Sequence, residues 1–254
     1  MSALIGAPLF IFGIWLGGYL FGAIIIILSL AGLIEYYMPW PNKNIYPAVV
    51  LGIIFGLMFP VLVTIGREDL VMSGITVMVA IVLVWQIMRP KRTRAGVDAG
   101  VTVLGALYAG LLPSFLILTR QLNGGFISLT VAVTSVWACD IAAYFVGKYL
   151  GKRKLAEDIS PHKTVEGAIA GIVAAVAAPA VFAAAGLLPV VQALGLGILV
   201  GVFAQVGDLI ASTLKREVGI KDYSRTIPGH GGILDRFDGL FFVAPFVYFL
   251  FLLW

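Results

Sequence analysis

Charge is what this sequence has least of. Only 12% of its 254 residues are Asp, Glu, Lys or Arg, while 61% are hydrophobic and the mean hydropathy is +1.04. Soluble domains carry about a quarter charged residues. So few charges cannot cover a water-facing surface, which excludes a soluble globular domain, a disordered chain and a nucleic-acid-binding domain. The surplus of four positive charges therefore points to membrane-flanking loops and not to nucleic acid. Cysteine is nearly absent as well. Cys139 alone permits no internal disulfide and no cysteine-rich metal site, and its apolar run makes it a small core residue. Residues 1–6 contain no Lys or Arg, so the first apolar run lacks the basic lead of a signal peptide and is expected to be a retained span.

What is there is a series of long apolar runs. The sequence predicts an all-α polytopic membrane protein, a single membrane domain of about nine transmembrane helices. The run 3–38 is too long for one helix across a ~30 Å hydrocarbon layer, and Gly17-Gly18 is its natural break. Spans are expected at 3–16, 19–38, 46–65, 70–88, 98–119, 126–147, 165–186, 190–212 and 239–254, or eight spans if the first run is one kinked helix. With alternate loops on alternate sides, one side holds 15 Lys and Arg and the other only Arg67 and Arg120. The basic side is expected in the cytoplasm, with the N-terminus inside and the C-terminus outside. Tyr36, Tyr37, Trp40 and Trp254 are expected as interfacial aromatics.

The charges are unevenly spread. Residues 140–238 hold 19 of the chain's 30 charges and both histidines, His162 and His230. Residues 1–125 are expected to be mainly scaffold, 126–240 to bear the site, and 241–254 to complete the last span. Asp140, Tyr144 and Lys148 fall at i, i+4 and i+8, on one helix face. A carboxylate near a span's end is costly unless paired or functional. In Ser160-Pro161-His162-Lys163-Thr164-Val165-Glu166-Gly167, Thr164 can cap the next helix, and Lys163 lies beside a helix start, where phosphates bind readily. His162 is expected in a solvated loop. Gln205, Asp208, Ser212 and Lys215 recur at helical spacing, a polar stripe on an apolar helix. Next come Lys221-Asp222, Pro228-Gly229-His230-Gly231-Gly232 and Asp235-Arg236-Phe237-Asp238. The glycine-rich turn would let a phosphate approach its amides. Asp235 and Asp238 would present two carboxylates to one cation, and hard oxygen ligands beside basic residues suggest Mg²⁺ on a polyphosphate.

The run Ser212-x-Leu214-Lys215-Arg216-x4-Lys221-Asp222-x5-Pro228-Gly-His-Gly-Gly-Ile-Leu-Asp235-Arg-Phe-Asp238 resembles the signature of phosphatidate cytidylyltransferases, the CDP-diacylglycerol synthases. Asp140-x3-Tyr144-x2-Gly147-Lys148 and Ser160-Pro161-x-Lys163-Thr164-x-Glu166-Gly167 match the same family in the same order, so the resemblance covers about residues 130–240. It implies an integral enzyme of the cytoplasmic membrane, or of the endoplasmic reticulum in a eukaryote. Its substrates would be CTP and phosphatidic acid, its products CDP-diacylglycerol and pyrophosphate, and its cofactor Mg²⁺, with room for a second cation. Membrane lipid would surround it, and a homodimer is compatible with such a bundle. Catalytic candidates are Asp208, Asp235, Lys215 and Asp140. Candidates for substrate binding are Lys163, Ser212, Arg216, Lys221, Asp222, His230, Gly231, Gly232, Arg236, Tyr144 and Lys148. Asp208, Asp235 and Asp238 are the metal candidates.

Two other functions compete. Asp140 and Asp208 inside a helix bundle would also suit an ion or metabolite transporter, but they lie toward the basic helix ends and not at the midplane. A polyprenol kinase-like lipid enzyme is the second. The CDP-alcohol phosphotransferase pattern Asp-Gly-x2-Ala-Arg is absent, since Asp238-Gly239 runs into Leu-Phe-Phe-Val.

Overall fold

The computed structural model describes residues 2–89, 94–224 and 231–254. Among them are nine helices: α1 (Ser2–Leu16), α2 (Gly18–Tyr37), α3 (Val49–Thr64), α4 (Val71–Met88), α5 (Ala95–Gln121), α6 (Gly125–Leu150), α7 (Val165–Ala184), α8 (Val190–Glu217) and α9 (Leu234–Leu252). They fall where the apolar runs predict them. The first run does divide at the glycine pair. Gly17 and Gly18 have φ of 64° and 53°, a left-handed backbone that side chains resist. Six of the nine helices are long and apolar enough to cross a bilayer. Large apolar side chains such as Ile27, Met72, Val173 and Val191 are exposed, while Ser29, Thr102, Ser114 and Ser135 are buried. That distribution suits a surface solvated by lipid. The chain is an all-α integral membrane protein.

One element was not expected. Between α6 and α7, Lys154–Ala156 (β1) pairs antiparallel with Ser160–Thr164 (β2). Pro161 cannot continue a helix and biases Ser160 toward extended backbone, so the segment pairs as a short hairpin. Only its end was legible. Thr164, extended at φ −127°, accepts the Gly167 N–H at 3.2 Å and caps α7.

The chain packs as two compact units. The first comprises Met1–Leu118 and Val218–Arg236. Its core holds Phe21, Ile25, Leu33, Tyr36, Tyr37, Phe59 and Met78. The expectation of interfacial Tyr36, Tyr37 and Trp40 is corrected here, because all three are buried. Tyr36 meets Tyr37 edge-on at 5.2 Å and Trp40 at 5.8 Å, and the Tyr37 hydroxyl donates to the Thr102 carbonyl. With its hydroxyl satisfied, Tyr37 packs as well inside as at an interface. Trp254, in the other unit, is exposed. Helices α3 and α5 touch backbone to backbone, where a Cβ on Gly110 would overlap Gly56. Helix α5 carries a π-helical turn at Leu107–Leu111. At the helix ends, Asp98 accepts the Tyr46 N–H at 2.9 Å and pairs with Arg89 at 3.3 Å.

The second unit comprises Thr119–Glu217 and Phe237–Trp254. Small residues let its helices approach closely. Gly171 faces Cys139, which is buried, and Gly201 faces Ile172. The Ser135 hydroxyl donates to the Ala175 carbonyl at 2.6 Å, and Phe203 stacks on Phe246 at 4.1 Å between ring centres.

Candidate active site

In the second unit, the hairpin is fastened to α7 and α8. The Glu166 carboxylate, in the first turn of α7, accepts the N–H groups of Lys152 at 3.0 Å and Arg153 at 3.2 Å. Arg216 of α8 donates through Nε to the Ile159 carbonyl at 3.1 Å. The Thr164 cap and the Glu166 carboxylate thus fix the chain directly after Lys163, which precedes both in the motif. The Lys163 ammonium is shielded from solvent and forms an ion pair with Asp208 Oδ2 at 2.6 Å. Two motifs separated by 45 residues are brought together in this contact.

Helix α8 carries the polar stripe inward. Gln205 donates to the carbonyls of Ala168 and Gly201 at 3.0 and 2.8 Å. Two to three turns on, Ser212 and Lys215 are 7% and 8% exposed, burial that Lys avoids unless its charge is matched. Asp238, on the first turns of α9, is also 8% exposed and accepts the Gly239 N–H at 2.7 Å. Asp208, Lys215 and Asp140 all act on it electrostatically. Carboxylates from α6, α8 and α9 and two lysines thus share one charged region. Asp140 itself is exposed, as are Tyr144 and Lys148, whose ammonium lies 5.7 Å from the Tyr144 ring centre and 5.4 Å from that of Tyr149.

In the first unit, the described part of the glycine-rich turn is held by two carboxylates. Asp235 Oδ2 accepts the N–H groups of Tyr223 and Gly232, both at 2.9 Å. Gly231 has φ of +81°. Glu35, far away in α2, accepts from Ser224 Oγ at 2.6 Å, from the Ile233 N–H at 3.0 Å and from the Leu234 N–H at 2.8 Å. Lys221, Asp222 and Arg236 are exposed, and His230 lies outside the described residues. Sequence reasoning missed Glu35 by counting α2 as scaffold. The available signal was a single acid in an otherwise uncharged helix, which is costly without partners.

Asp208 and Asp238, both in the second unit, carry hard oxygen atoms of the kind Mg²⁺ takes, and Asp235, of the first unit, stands one turn before Asp238 on α9. No group of three acidic, histidine or cysteine residues forms a ready cage among the described residues. Mg²⁺ does not require one, because it keeps waters and is commonly held by one or two carboxylates together with substrate phosphates.

The family model described as "Cytidylyltransferase family" matches residues 1–254. The chain belongs to the cytidylyltransferase family. A relative in Bacillus subtilis named phosphatidate cytidylyltransferase is 44% identical over 163 residues, 63% of this chain and 61% of that protein, so the match spans less than two thirds of the relative. A Synechocystis protein of the same name is 34% identical and covers 98% of this chain and 94% of its own. A third, from Staphylococcus saprophyticus, is 35% identical over 70% of this chain and 68% of its own. Membership in the cytidylyltransferase family does not favour a transporter.

Proposed function

We propose that this protein joins CTP and phosphatidic acid to give CDP-diacylglycerol and pyrophosphate. The observation that carries this reading is the Lys163–Asp208 pair, which links two separate motifs beside buried Lys215 and Asp238. The names of the full-length relatives support the same substrates. One oxygen of the lipid phosphate attacks the α-phosphorus of CTP. A new P–O bond forms, the bond from the α-phosphorus to the bridging oxygen breaks, and pyrophosphate departs with its electron pair. The nucleophile is a phosphate monoester with a second pKa of about 6, as in phosphorylated side chains, so it is already anionic and needs no strong base. The barrier is repulsion between anions and charge developing on the leaving group.

Lys163 and Lys215 oppose that charge from sites shielded from water, where an ammonium acts more strongly than at an exposed surface. Arg216, Lys221 and Arg236 are further candidates to hold phosphates, as the sequence signature implies, and Tyr144 and Lys148 lie near the end of α6. The sequence signature adds Ser212, Asp222, His230 and Gly231 as candidate substrate contacts, whereas the Gly232 N–H is taken by Asp235 Oδ2. By the sequence signature, Asp208, Asp235 and Asp238 are the carboxylates that would hold Mg²⁺, and Asp140 would orient rather than ligate. The metal, when bound, would neutralise triphosphate oxygens and favour in-line displacement. The site faces the cytoplasm, a reading supported by the concentration of Lys and Arg in its loops. Soluble CTP arrives there, at the depth of the lipid phosphate.

The test uses purified protein in detergent with phosphatidic acid and Mg²⁺. CTP should yield a CDP-lipid, and ATP with diacylglycerol should yield nothing. Equal turnover of ATP with a polyprenol would replace this function with that of a lipid kinase.

A further inference from the structure

We infer that Glu35 is a positioning residue, whose carboxylate anchors the turn ahead of α9 and thereby fixes Asp235. This rests on the functional reading above. Glu35 is 5% exposed, and both of its carboxylate oxygens are used. Oε1 accepts from Ser224 Oγ and Ile233 N, and Oε2 accepts from Leu234 N. Leu234 is the first residue of α9, so an acid from a distant helix fills the role a local cap would have. The first amides of a helix have no partner within it, and a negative charge there is favourable.

Gly232 shows how closely the acid fits. A Cβ at that position would lie 2.6 Å from Glu35 Oε2 and 2.8 Å from its Cδ. A side chain at 232 would therefore push the Glu35 carboxylate out of this arrangement, independently of any ligand. On its other side the same turn is tied by Asp235 Oδ2, which accepts the Gly232 N–H. Three consecutive amides, Gly232 to Leu234, are thus committed to Glu35 and Asp235. An anionic substrate has no vacancy at those three, and its charge is left to the lysines and arginines. Loosening Glu35 releases the turn that orients Asp235.

The comparison sets Glu35→Gln and Ser224→Ala against wild type, with Leu30→Ala, an exposed site on the same helix, as control. Gln keeps the shape but offers one acceptor, so an NH₂ group faces one of the two amides. Its kcat should fall about 10- to 100-fold, the usual scale for losing a group that orients a metal ligand, with KM for phosphatidic acid unchanged. The Mg²⁺ concentration for half-maximal rate should rise, and amides 231–236 should exchange hydrogen faster. Ser224→Ala should move the same quantities in the same direction by less, and it decides the matter if Glu35→Gln does not stay monodisperse. Unchanged exchange at 231–236 overturns the anchor whether or not the wild type is active. Faster exchange with wild-type kcat overturns the positioning role. A wild type inactive on CTP and phosphatidic acid overturns the functional reading instead.

Discussion

Asp208 and Asp235 lie 27 residues apart in the chain, yet each is engaged by specific donors, Lys163 for the first and two backbone amides for the second. Replacing either by Asn keeps the shape and removes the charge. Asp208→Asn and Asp235→Asn should each lower kcat by at least ~10²-fold, the scale for losing one strong electrostatic element. If the two serve the proposed metal together, the double variant should be little worse than either single one, because groups acting as a unit fail together. Asp140→Asn should be milder, in keeping with its exposure. Steady-state kinetics on variants that remain monodisperse checks all three. Near-full activity with an unchanged Mg²⁺ requirement in both Asn variants would move the metal to other carboxylates, with Asp140 and Asp238 the next pair. These aspartates were legible because charge is rare in an apolar chain, so each acid stands out and its spacing can be read. Glu35 was equally conspicuous, but its partners are 189 to 199 residues away and nothing local announces them.

Helices were the most legible elements. A hydrocarbon layer of about 30 Å demands long apolar runs, and a glycine pair supplies the only economical break in the first of them. The hairpin was not legible, since strands of three and five residues show no periodicity. It fixes Lys163 through the cap on α7 and the carboxylate of Glu166. Thr164→Val removes the capping oxygen at nearly constant shape and should destabilise the fold by about 1 kcal/mol. It should also reduce kcat/KM for CTP through a looser Lys163. Thermal unfolding in detergent and the same kinetic assay measure both effects. Deep in the first unit, Gly110→Ala would force α3 and α5 apart at Gly56, and overpacking of this kind costs about 1–3 kcal/mol. A lowered unfolding midpoint is expected, and an unchanged one would deny the close approach.

Across the whole molecule, 15 basic residues against two predict an orientation with the basic loops in the cytoplasm. Single cysteines placed in 152–160 or 217–224 should react from one side of the membrane, and one at position 121 from the other. Cys139 is buried and should contribute little background. Labelling of all three regions from one side would overturn the loop alternation expected from nine spans. Buried tyrosines at 36 and 37 show where composition misleads: the sequence marks them as aromatic residues near a span's end, and only packing decides which way they face. The central claim is a cytidylyl transfer at the α-phosphorus, and isotope position tests it most directly. CTP labelled at the α-phosphate should pass its label to the lipid, while label in the β- and γ-phosphates should appear only in pyrophosphate. Label from the γ-phosphate in the lipid, or none from the α-phosphate, would contradict it.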